Sequence, residues 1–269
     1  MQKTAISAVL CLALSLMPGE CTAGSGVSFV IDGAVLETQI TTRVEDQTTY
    51  VSYWPIVQAL YPDAAAEWAN GRAEVRAEGL ELFIQPGAQY IAANGRYLYV
   101  PGGVMCEEDC ILVPVRILGQ ALGASVEWDG ENSAVLITPG DAPITPGEQF
   151  YQSDVLYWLS HIINAESGNQ PLEGKIAVGN VVLNRVASTV FPNTVYEVLF
   201  QRSQFTPAMT GSIYCSPNEE SVIAAKLCLD GANTVGNALY FVNPRTSPSS
   251  WASRNRPYVD TIGAHAFFA

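Results

Sequence analysis

The sequence predicts an α+β chain: a small, internally repeated α/β domain followed by a mainly α-helical one. Three observations carry this. At 269 residues the chain exceeds the usual size of one domain. Residues 141–149, DAPITPGEQ, place two prolines and a glycine between two periodic regions and read as a linker. Before that segment the chain repeats a short strand–helix–strand pattern, and after it apolar residues recur at helical spacing.

The first 23 residues read as a secretory signal. Lys3 precedes an apolar run from Ala5 to Met17, and Cys21-Thr22-Ala23 offers a small-x-small cleavage site. The run is too short for a membrane span. Pro18, Gly19 and Glu20 before Cys21 fit a lipoprotein signal poorly. The chain is therefore expected to be exported, to the cell envelope or beyond. A net charge of −13 excludes nucleic acid as the expected partner, because phosphate binding is driven by clustered Lys and Arg. Of the 26 acidic residues 17 precede Glu148, so the acidity belongs mainly to the first half.

That half, residues 27–140, contains two aligned copies. YVSYWPIVQALYPDAAAEWANGRAEV from Tyr50 matches LVPVRILGQALGASVEWDGENSAVLI from Leu112. Val51 aligns with Val113, Gln58-Ala59-Leu60 with Gln120-Ala121-Leu122, and Trp68 with Trp128 after a two-residue insertion. One unit cannot cover its own apolar face, so the copies are expected to pack together. VSFVIDG and YIAANGRYLYVP add strands, the second with an Asn-Gly turn signal. The V-P-V-R…A-L-G-A…V-E-W-D pattern resembles the domain named after the N-terminal region of copper amine oxidases. The resemblance implies an envelope-binding module or a spacer, not copper, since His161 and His265 both lie in the other half.

Beyond the signal four cysteines remain, and outside the cytoplasm disulfides are the default. Cys106 and Cys110 bracket a turn and are expected to pair locally, a metal site lacking nearby histidines. Cys215 and Cys228 can pair only if the intervening helix starts late and the preceding loop folds back.

In residues 150–269, Ser153 is a candidate cap for a helix to Ser167, with Gly168 suited to a left-handed end. Pro171 opens a second helix to about Ala187, apolar on nearly all sides and hence central. On the first helix Val155, Leu159, Ile162, Ile163 and Glu166 share one stripe. A carboxylate there has its charged form disfavoured, so its pKa rises and it can donate a proton near neutral pH. Glycosidic cleavage needs such an acid on the departing oxygen. The bland alternative is an ion pair with Lys175 or Arg185.

From Glu166 the run E-S-G-N-Q-P-L-E-G-K-I-A-V-G-N-V-V-L-N-R-V resembles the spore cortex-lytic and cell wall hydrolase family (SleB-like). The likeness continues through F-P-N-T-V-Y-E-V-L-F at Phe191, Q-F-T-P at Gln204, A-L-Y-F-V-N-P at Ala238 and I-G-A-H-A-F-F at Ile262. It implies a lysozyme-like domain cleaving peptidoglycan glycan strands, with Glu166 catalytic. Family members commonly continue this glutamate with Ala-Arg-Gly-Glu, where this chain has Ser167-Gly168-Asn169-Gln170. Neither Glu173 nor Glu197 stands in a stretch suited to a second catalytic carboxylate. A lytic transglycosylase, which closes a 1,6-anhydro ring with one glutamate, is the preferred reaction, and single-carboxylate hydrolysis the near alternative.

Further candidates for substrate binding are Gln204 and Phe205 as a groove wall, and Tyr240 and Asn243 for N-acetyl groups or for orienting Glu166. Trp251 is a candidate for stacking, or a core residue. Asn180 and Asn184 either line a groove or tie loops to the core. His265 reads as a satisfied structural group and His161 as exposed. No cofactor and no metal are expected, and the chain is expected to act as a monomer. A non-catalytic wall-binding protein and a zinc amidase are the competing classes; two histidines without ligand spacing disfavour the amidase.

Overall fold

The computed structural model of the protein describes residues 27–107 and 109–269; the predicted signal segment lies outside them. The first half is strand-rich. Its elements run β1 (Ser28–Ile31), β2 (Ala34–Val35), β3 (Thr42–Glu45), β4 (Thr48–Ser52), α1 (Tyr53–Leu60), β5 (Ala65–Ala69), β6 (Arg72–Ala77), β7 (Leu80–Ile84), β8 (Tyr90–Ala93), β9 (Arg96–Tyr99), β10 (Met105–Glu107), β11 (Cys110–Pro114), α2 (Val115–Ala121), β12 (Ala124–Asp129) and β13 (Ala134–Pro139). The two copies are β4-α1-β5 and β11-α2-β12, and they meet as expected. β4 and β11 pair antiparallel, and the aligned residues Val51 and Val113 become cross-strand partners. Both are fully buried, with Ile56, Val57 and Leu118 of the two helices beside them. The Asn94-Gly95 turn joins β8 to β9, with φ of 49° and 77°. Both values are positive, as a two-residue hairpin requires.

After α3 (Gly147–Phe150) come α4 (Ser153–Ser167), α5 (Leu172–Ala187), α6 (Val195–Leu199), α7 (Thr206–Thr210), a 3-10 turn at Ser212–Tyr214 and α8 (Glu219–Leu229). Then follow β14 (Tyr240–Val242), α9 (Trp251–Asn255), β15 (Tyr258–Ile262) and β16 (His265–Phe268). α5 is central, as its apolar girth predicts. One side packs Ile176 and Val182 with Leu159, Ile163 and Ala224 of α4 and α8. The other packs Ala177, Val178 and Val181 on Phe267 of a three-stranded sheet, order β14-β16-β15. No described helix is long and apolar enough to cross a membrane.

Local geometry departs from expectation in four places. α4 begins at Ser153, with Gln152 as N-cap and no side-chain cap bond. Gly168 is right-handed, φ −56°. Glycine is needed there because a Cβ would lie 2.5 Å from the Asn164 carbonyl oxygen. The segment read as a linker is docked: Ile144 is buried, its carbonyl accepts from Asn94, and Gly147 N–H donates to the Asn94 carbonyl. The local Cys106–Cys110 pair is not made, and the open question of Cys215 and Cys228 is answered by two free thiols. Cys106 is free and exposed, which rules out its pairing with buried Cys110. Cys215 is free on the surface and Cys228 free in the core, its thiol donating to the Ile176 carbonyl.

The halves meet through β9 and α8. Arg96 Nε donates to Asp230 Oδ1 at 2.9 Å, the Tyr151 hydroxyl donates to Oδ2, and the Asp230 side chain is 1% exposed. Lys226 lies over the rings of Tyr97 and Tyr151.

Candidate active site

Glu166 occupies the last turn of α4, eleven residues after Val155. Below it Leu159, Ile162 and Ile163 are fully buried. The Glu166 side chain is half-buried at the rim of that apolar stripe. Among the described residues it has no ion pair and no hydrogen bond. Desolvation therefore acts uncompensated and raises its carboxyl above the ordinary glutamate value.

Both cations that could have neutralised it are engaged elsewhere. Lys175, 2% exposed, donates to Glu220 on α8. Arg185, 5% exposed, donates from Nε to the Leu239 carbonyl and from Nη1 to Gln204 Oε1. Its guanidinium lies 4.9–5.4 Å from the ring centres of Phe191, Phe205 and Tyr240, and burial pushes its pKa down to about 10. The two acids weighed as a second catalytic carboxylate are also committed. Glu197 accepts from the Thr194 hydroxyl, which in turn caps α6 by accepting from the Glu197 N–H. Glu173 accepts from Gln89 and Tyr99 of the first half.

The sequence-predicted binding residues gather mostly at the other end of α5. Arg185 lies about 20 Å along the helix from Leu172, at 1.5 Å per residue. Around it stand Gln204, Tyr240 and, through Tyr240, Trp251 with ring centres 5.5 Å apart. Trp251 is 54% exposed and is not core. Arg256 lies over both rings and donates to the Tyr240 hydroxyl. No described contact links Tyr240 to Glu166. Phe205 is 2% exposed, packed on Phe241 beneath Arg185. It supports the wall from behind and offers no free face to a sugar, which corrects its assignment as a lining residue. Asn243 accepts from the Arg245 N–H and turns the chain after β14.

Asn180 and Asn184 tie a loop to the core. Asn180, buried, donates to the Ala232 carbonyl and accepts from Thr234 N–H. Asn184 donates to the carbonyls of Gly236 and Ala238. Their side-chain amides hold the chain that leads into β14, so neither is presented as a groove-lining group. His161 is buried, not exposed, and its Nδ1 donates to the Ile213 carbonyl at 2.7 Å. A helical wheel places it opposite Glu166, but the 3-10 turn covers that face. His265 is buried beside Phe241 with no partner for Nδ1, so it is not the satisfied group expected; burial pushes its pKa below the ordinary histidine value.

One residue that sequence reasoning passed over positions the turn after Glu166. Gln170 Oε1 accepts from the Ala264 N–H at 2.8 Å, fastening the 168–171 loop to the β15–β16 turn. Ser167 donates to the Ile163 carbonyl. The departures from the family run are thus accommodated within the fold. No periodicity signals this, because the partner lies 94 residues away.

Residues 169–268 match the family model described as Cell Wall Hydrolase, and residues 30–144 match the Copper amine oxidase N-terminal domain. The first span starts three residues after Glu166, so that residue rests on the geometry above. The spore cortex-lytic enzyme of Bacillus cereus is 39% identical over 117 residues, 44% of this chain and 45% of that protein. The enzyme of the same name from Oceanobacillus iheyensis is 35% identical over 128 residues, 48% of this chain and 46% of that protein. The chain therefore spans less than half the length of these curated relatives. Among solved structures, the catalytic domain of a germination-specific lytic transglycosylase, SleB, from Bacillus anthracis aligns at 37% identity and a TM-score of 0.42. It covers 46% of this chain and all of that one. A cell wall hydrolase domain thus follows a copper-amine-oxidase-N-terminal-like domain.

Proposed function

We propose that this chain, a cell wall hydrolase domain behind a repeat domain, is an exported lytic transglycosylase. It cleaves peptidoglycan strands between N-acetylmuramic acid and N-acetylglucosamine, with Glu166 as sole acid and base. The observation that carries the reading is the half-buried Glu166 carboxyl on an apolar stripe, with Lys175 and Arg185 both engaged elsewhere. The relatives named spore cortex-lytic enzyme support the substrate class.

Protonated Glu166 gives its proton to the glycosidic oxygen as the bond to the muramic acid anomeric carbon breaks. The resulting carboxylate stabilises the oxocarbenium-like centre and then takes the proton of the 6-hydroxyl. That oxygen closes on the anomeric carbon as a 1,6-anhydro ring. Glu166 ends protonated and no water is consumed. The engagement of Glu173 with Gln89 and Tyr99, and of Glu197 in a helix cap, favours this one-carboxylate route over a two-carboxylate hydrolysis.

Muropeptide release by wild type and Glu166→Gln tests the proposal. Anhydro-muramic ends from wild type alone support it. Reducing ends indicate hydrolysis, free stem peptides an amidase, and no release a wall-binding protein.

A further inference from the structure

Where the two domains meet, an open cleft of about 530 Å³ lies between β9 and the β15–β16 hairpin, within the size range of ligand pockets. Tyr99 and Pro101 of the repeat domain form one wall; Pro171, Glu173, Asp260 and Ile262 belong to the other. The cleft borders the 168–171 loop that follows Glu166, and Gln170 fastens that loop to the same hairpin. The walls are held in register by the buried Arg96–Asp230 pair and by the hydrogen bonds of Gln89 and Tyr99 to Glu173.

Its chemistry selects a kind of ligand. Tyr99, the two prolines and Ile262 supply apolar surface. Glu173 receives both its bonds on Oε1, and Asp260 receives the Thr261 N–H on Oδ1. Each carboxylate therefore keeps one oxygen free to accept. Apolar surface edged by acceptors suits a sugar ring, whose faces are apolar and whose hydroxyl and amide groups donate at the edge. An anionic ligand would meet two like charges.

We infer that this cleft is a subsite for an uncharged N-acetylated amino sugar of the glycan strand, with the repeat domain supplying one wall. The inference rests on the glycan-cleaving reading and assigns the first domain a part in it.

The test uses the full chain carrying Glu166→Gln, titrated calorimetrically with tetrameric β-1,4-linked N-acetylglucosamine and with a uronic acid oligomer of the same length. The neutral oligomer binds and the anionic one does not. Adding Asp260→Asn, at an exposed position, weakens binding about tenfold, as does Tyr99→Ala, whereas Tyr99→Phe retains it. Circular dichroism confirms folding of each; should Tyr99→Ala fail to fold, Asp260→Asn decides. Unchanged affinity in Asp260→Asn, or no binding of the neutral oligomer, overturns the inference. Muropeptide release by wild type remains an independent reading, so a failed subsite and a failed enzyme are distinguishable.

Discussion

Lys175 pairs with Glu220 and not with Glu166, although Lys175 and Glu166 flank the same tight turn. That choice leaves the Glu166 carboxyl without an ion pair. A carboxylate paired with a buried ammonium would be held ionised, whereas Glu166 is left with desolvation alone.

The pairing predicts an asymmetry in stability. Glu220→Ala leaves a buried ammonium without a partner and costs about 3 kcal/mol. Lys175→Met replaces the charge by an apolar chain of similar volume, leaves a half-exposed carboxylate, and stays within about 1 kcal/mol of wild type. Urea unfolding of both variants measures the difference.

Glu166 predicts a pH dependence with a definite sign. Its folded-state pKa is raised above the unfolded value, near the ordinary 4.5. Its contribution to stability is fully present below that value and is lost as pH rises through the folded pKa. Glu166→Gln should therefore melt at the same temperature as wild type in acid and higher than wild type at neutral and alkaline pH. Under the proposed mechanism, in which the protonated acid releases the sugar, wild-type activity should fall on the alkaline side through the same titration. Thermal melts and rates across pH check both.

Asn180 predicts a structural effect. Asn180→Ala orphans the Ala232 carbonyl and the Thr234 N–H and costs about 2–3 kcal/mol. At a temperature where the variant is folded, its KM stays at the wild-type value. A raised KM without loss of stability would return Asn180 to the substrate groove.

Asp230 predicts domain uncoupling. With its side chain 1% exposed between Arg96 and Tyr151, Asp230→Ala leaves the largely covered Arg96 guanidinium without its carboxylate. The expected result is a loss of about 3–5 kcal/mol and new protease cleavage in residues 140–152. Limited proteolysis with mass spectrometry reads it directly.

Legibility followed the range of the interaction. The repeat was visible because Val51 and Val113 sit in copies of one pattern, and copies that cannot bury themselves must meet. The two central helices were visible from apolar spacing and Pro171. The environment of His161 was not, because a turn some 50 residues away covers it. Phe205, expected in a groove wall, is core, and Trp251, open to either reading, is exposed: an aromatic ring suits a core and a sugar equally, and burial alone separates them.

By itself, then, the sequence determined the order of the domains, the pairing of the repeats and the presence of one acid on an oily helix face. These are consequences of local periodicity and composition. Tertiary structure decided which cation that acid was denied, which asparagines hold a loop, and which thiols stay apart. Each of those depends on a partner distant along the chain, and only the packing of α5 against both α8 and the sheet brings the partners within bonding distance.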